Sequence, residues 1–218
     1  MRKVFGILVV AALLLCWQTA ALAKDRVPVR VAMLPLAAER TSQMPALQTV
    51  RVIESRVRAA LHIPLNGVLG SVEYVPSGET RQTEERLQAE NPFYVTASCE
   101  QQLIWLAKRL NADVAVMPHL AAYEQHTYMN WNWDRGMMLR SYVAMELYVY
   151  ERTTGKVMKK GTSRVYHDEY SASGTADVLA RECIDSLLES TRLHESLWEQ
   201  VKNREQQKPE NFTKEVDS

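Results

Sequence analysis

Glycine is scarce in this chain, eight residues in 218. None forms a Gly-rich loop after a strand, which excludes the common phosphate cradles. No G-x-S-x-G elbow or other local nucleophile signature accompanies the Ser, His and Asp residues, so no catalytic motif is present. Basic and acidic residues balance at 26 each, without the concentrated basic face that nucleic acid requires. Of the three cysteines, the two beyond residue 23, Cys99 and Cys183, lack a matched pair of histidines and so fall short of the four ligands of a zinc site. Neither a cofactor nor a metal is expected.

What is present begins with a leader. Arg2 and Lys3 form a positive start, Val4 to Trp17 an apolar run, and Ala21-Leu22-Ala23 a small-x-small cleavage site. The run is short against the ~20 apolar residues of a spanning helix. Leu15 before Cys16 disfavours lipidation. The expected division is a signal peptide over 1–23, a single α/β domain over 24–201 and a disordered charged tail over 202–218. Such a chain is exported to a periplasmic or extracellular space and meets a membrane only through an uncleaved leader. In an oxidising space Cys99 and Cys183 read as one disulfide, with two buried free thiols as the alternative.

The remaining pattern alternates strand and helix. Val27 to Leu36 reads as a first strand ended near Pro35. Leu47, Val50, Ile53, Val57, Ala60 and Leu61 make one helical stripe. A short strand over 71–75 and a polar helix from Thr80 to Glu90 follow. Ser98 with Gln101 matches a capping box, and Asn111 suits a left-handed helix end. The clearest strand sets Val143, Met145, Leu147 and Val149 on one side and Tyr142, Ala144, Glu146, Tyr148 and Tyr150 on the other. Gly155 marks a hairpin turn, and the polar strand after it suits a sheet edge. Pro118 predicts an edge, a bulge or a strand end. The fold expected is α/β (α+β): a mixed sheet with a long antiparallel hairpin and helices packed mainly on one face.

Two groups of residues are candidate sites. Tyr123, Tyr128, Trp131 and Trp133 crowd one turn beside Asn130, Asn132, Asp134 and Arg135. They suit a sugar-stacking or protein-contact surface, joined by Arg140, Tyr142, Tyr148 and Tyr150. Alternatively the rings fold back and complete the core. His119 and His126 bracket the same region. Seven residues apart, they point to opposite faces of a regular strand, which disfavours a metal pair. A hydrolase reading would require one of them to contact Glu124 or Asp134.

The stretches Val29-Arg30-Val31-Ala32-Met33-Leu34-Pro35-Leu36, Asn111-Ala112-Asp113-Val114-Ala115-Val116 and Leu147-Tyr148-Val149-Tyr150-Glu151-Arg152-Thr153-Thr154-Gly155-Lys156-Val157, with the element order, resemble the amino-terminal domain of the translocation protein TolB. The curli-secretion lipoproteins and the outer-membrane activators of penicillin-binding proteins have similar domains. The resemblance implies a non-catalytic domain that binds an envelope protein or cell-wall component. A homodimer through the aromatic face is a further reading.

Overall fold

The computed structural model describes residues 27–39, 43–130 and 136–206. The expected leader, Trp131, Trp133, Asp134 and the chain beyond Gln206 lie outside them. The elements are β1 (Val29–Met33), β2 (Ala37–Ala38), α1 (Leu47–Ala60), α2 (Asn66–Leu69), β3 (Val72–Tyr74), α3 (Ser77–Glu90), α4 (Cys99–Arg109), β4 (Val114–Met129), β5 (Met137–Glu151), β6 (Lys156–Glu169), α5 (Ala176–Thr191) and α6 (Leu193–Gln206). Among the described residues no helix is long and apolar enough to cross a membrane.

The sheet is mixed, as the pattern predicts. Its order is β3-β1-β4-β5-β6, with β2 paired to β4. β1 runs parallel to β3 and β4, whereas β4, β5 and β6 form two long antiparallel hairpins. The N-cap half of the expected capping box forms: Ser98 Oγ accepts from the Gln101 N–H at 3.3 Å. Asn111 takes φ 54° and Gly155 φ 64°, so both turns close as their residue types suggest. Thr175 occupies the N-cap of α5, but its hydroxyl donates back to the Ala172 carbonyl rather than capping the helix.

Pro118 lies inside β4 rather than at its end. The Val116 carbonyl accepts from Leu34 and the Leu120 carbonyl from Glu39. By the two-residue alternation Pro118 therefore faces the same side, where the chain leaves the sheet between β1 and β2. Its missing N–H falls in that gap and breaks no ladder bond.

Helices lie on both faces, the larger group on one. The front face carries α1, α5 and α6. There Val143, Met145, Leu147 and Val149 are each at most 1% exposed and pack with Ile53, Val57, Ile184 and Leu187. Each such side chain contributes roughly 1.5–3 kcal/mol of burial. On the back face α4 lays Leu103, Leu106, Ala107 and Leu110 over Ala115, Met117, Tyr148 and Tyr150.

This two-sided layering corrects the disulfide expectation. Cys183 is buried in the front cluster and Cys99 packs against the back one. The sheet stands between them, while a bridge needs Cα atoms within roughly 7 Å. Both thiols are free.

The last helix runs past residue 201, the expected end of the domain, to Gln206. Arg204 fixes it by donating to the Pro28 carbonyl and to Asp113 Oδ1, each at 2.7 Å. Asp113 is 6% exposed, and its other oxygen accepts from the Arg30 N–H at 2.8 Å.

Candidate binding surface

The back-face apolar cluster ends at Met117 and Tyr148. Beyond it β4, β5 and β6 continue, and among the described residues no apolar cluster lies over this face, where Met138 is 7% exposed. A β-bulge decides which side chains stand there. Leu120 pairs with Met145 and Ala122 with Ala144, so one extra residue, Ala121, enters β4. Before the bulge odd-numbered residues face back; after it even-numbered ones do.

The bulge moves one expected site residue, and α4 covers two others. Tyr123 turns to the front core, 7% exposed, and its hydroxyl donates to Asp177 Oδ1 at 2.6 Å. Thr49 donates to the same oxygen, so this carboxylate ties β4 to α1 and α5. Burial, then the bond to Asp177, raises the Tyr123 phenol. Tyr148 and Tyr150 are each 4% exposed beneath α4. These three tyrosines are core residues rather than surface ones.

His119 and His126 also depart from expectation. They sit opposite Glu146 and Arg140 on β5, and directly paired residues share a face. The bulge therefore puts both histidines on the back face. They stand six β5 residues apart, about 20 Å along the strand, too far to share a metal. Among the described residues no group of three or more His, Cys, Asp or Glu is placed to hold one.

What remains on the open half is a coherent set. From β4 come Glu124, His126 and Tyr128, from β5 Arg140 and Tyr142, and from β6 Val165 and His167. Tyr128 is 44% and Val165 67% exposed. The Tyr128 hydroxyl reaches across β5 to His167 Nε2 at 2.7 Å, which holds its ring against the sheet.

A polar node marks the boundary between the covered and open halves. Glu146 receives the Tyr148 hydroxyl at 2.5 Å and the Lys159 ammonium at 2.9 Å. His119 Nδ1 stands 3.3 Å from the same carboxylate, and its Nε2 stands 3.7 Å from Glu39. The Lys159 ammonium sits 5.3 Å from the centre of the Tyr148 ring. Burial alone would push Glu146 up. The hydrogen bonds from Tyr148 and Lys159, the Lys159 charge and His119 outweigh it, so the carboxyl lies below its ordinary value. Tyr148 is pushed up to about 12, by burial first and then by its bond to Glu146.

The node has the composition of a catalytic site without the activation one requires. Cys99 lies near it, but burial followed by the Glu146 and Glu39 charges raises its thiol, the opposite of what a nucleophile needs. The acidic contacts of His119 are Glu146 and Glu39, not the Glu124 that the hydrolase reading named; Asp134 lies outside the described residues. The node's chemistry closes the edge of a core: every charge has a partner.

The sequence matches no protein-family profile and no curated protein. Among solved structures the chain is similar to the PelC dodecamer from Paraburkholderia phytofirmans, at 13% identity and a TM-score of 0.37, over 74% of this chain and 86% of that one. It is also similar to lipoprotein GNA1162 from Neisseria meningitidis, at 14% identity and a TM-score of 0.42, over 76% and 99%. The LpoB C-terminal domain from Escherichia coli is similar at 10% identity and a TM-score of 0.34, over 63% and 82%.

Proposed function

We propose that this chain is an exported, non-catalytic interaction domain of the bacterial cell envelope, of the type seen at the amino terminus of TolB. Its contact surface is the open back-face half of the β4-β5-β6 sheet. The observation that carries this reading is the set of exposed Tyr128 and Arg140 and half-buried Tyr142 on one face, over which no helix lies among the described residues. Tyrosine and arginine are the residues that dominate protein-contact energetics. Mixed charge from Glu124, Arg140 and the histidines favours a polar macromolecular partner, an envelope protein ahead of a cell-wall glycan. Trp131 and Trp133, which fall between β4 and β5 in the sequence and outside the described residues, are added to this surface on their residue type.

Affinity capture from envelope extracts tests the reading. The doubly substituted Arg140→Ala/Tyr142→Ala protein and the Trp131→Ala/Trp133→Ala protein are each expected to lose the partner recovered by the parent chain. Their unfolding midpoints stay at the parent value. Retained capture by both would remove the surface from the account; loss of folding by the tryptophan variant would return those rings to the core.

A further inference from the structure

A second site stands apart from the open sheet face, and its case does not rest on the function proposed above. The chain leaving β1 passes to the front face, where α1 lies. The chain leaving β3 passes to the back face, where α3 and α4 lie. β1 and β3 are parallel neighbours. Their carboxyl ends therefore form a topological switch point, the place where open α/β sheets leave a crevice for ligands. A cleft of about 400 Å³ occurs there, within the size range of small-molecule sites. It continues past Pro35 and Ser77 into a second hollow along α3.

The chemistry of an occupant follows from which lining groups already have partners. The floor is apolar, with Val31, Met33, Leu34, Leu61 and Val75. The Tyr74 hydroxyl is used: it accepts from the Ile63 N–H at 3.1 Å and donates to the Leu61 carbonyl at 2.9 Å. Glu54 is used as well, accepting from the Leu36 N–H at 3.2 Å. The Arg58 guanidinium, the His62 ring and the Ser77 hydroxyl line the same cleft, and no hydrogen bond or ion pair to another described residue engages them. All three can donate a hydrogen bond, and Arg58 cannot lose its charge. A ligand that completes the site must bring an apolar body and acceptor oxygens. We propose that this cleft binds a small amphipathic carboxylate, with its chain on Val31, Met33 and Val75 and its head group on Arg58.

Decanoate and decanol, which share a chain and differ in head-group charge, test this in a nuclear magnetic resonance titration of the purified protein. Decanoate is expected to bind saturably and to shift the amides of Val31, Met33 and Val75. Decanol is expected to bind roughly five- to tenfold more weakly, the value of about one charge-assisted contact. Arg58 is exposed, so Arg58→Gln keeps the fold. It should weaken decanoate by the same factor and leave decanol unchanged. Absence of saturable binding, shifts centred elsewhere, equal affinity for the two probes, or decanoate binding indifferent to Arg58→Gln would each overturn the assignment. Arg140→Ala/Tyr142→Ala should leave both titrations unaltered, so failure here is distinct from failure of the sheet-face reading.

Discussion

Tyr150 and Tyr142 stand on one face of one strand, separated by a whole number of two-residue steps, yet their surroundings differ. Tyr150 is 4% exposed beneath α4. Tyr142 is half-buried, on the half of that face where no apolar cluster among the described residues covers the sheet. Alternation along a strand fixes the side to which a ring points; it does not fix what lies over the ring. The covered half of the back face serves stability, and the open half is free to serve recognition.

The largest expected contrast comes from truncating the two rings. Tyr150→Ala should lower unfolding free energy by about 3–5 kcal/mol, as for other large buried aromatics. Tyr142→Ala should cost less than about 1 kcal/mol, both read from urea denaturation. Equal costs would mean that the two halves are equally packed.

A somewhat smaller effect is expected where the covered end of β4 meets the last helix. Asp113→Ala strips partners from the Arg30 N–H and from Arg204. The orphaned donors should cost roughly 2–3 kcal/mol, and amide exchange in α6 should quicken. Exchange in α6 at the parent rate would show that its apolar contacts alone hold it.

The smallest effect concerns the node between the halves. The folded Glu146 carboxyl lies below its ordinary value of 4.5. Its stabilising contribution is therefore complete above that value and is lost as pH falls through the lower folded one. Glu146→Gln should flatten the acid limb of the stability profile and leave the neutral region nearly level. An unchanged acid limb would mean that other carboxylates govern acid unfolding.

Much of the fold was legible from local pattern. The β5 alternation, the Ser98 cap, the Asn111 helix end and the Gly155 turn are decided by residues within a few positions of one another, and each forms as read. What the pattern could not carry is long-range. The β-bulge after Leu120 reverses the facing of every later β4 residue, which sends Tyr123 inward and brings His126 to the side of His119. Pro118 is tolerated because of a gap between two other strands. The two cysteines share no layer because α4 and α5 cover opposite faces. The cleft between β1 and β3 arises from chain routing, which no single segment encodes. Of the expected contact residues, Tyr128, Arg140 and Tyr142 share the open half, whereas Tyr148 and Tyr150 share its face but lie under a helix.

The most direct test of the sheet-face account is photocrosslinking in intact cells. Benzoylphenylalanine would be placed at Tyr128 and Tyr142 on the open half, and at exposed Ser55 on α1 as a front-face reference. The account predicts one discrete protein adduct from both sheet positions and none from Ser55. Adducts from Ser55 alone, or none from Tyr128 and Tyr142, would contradict it.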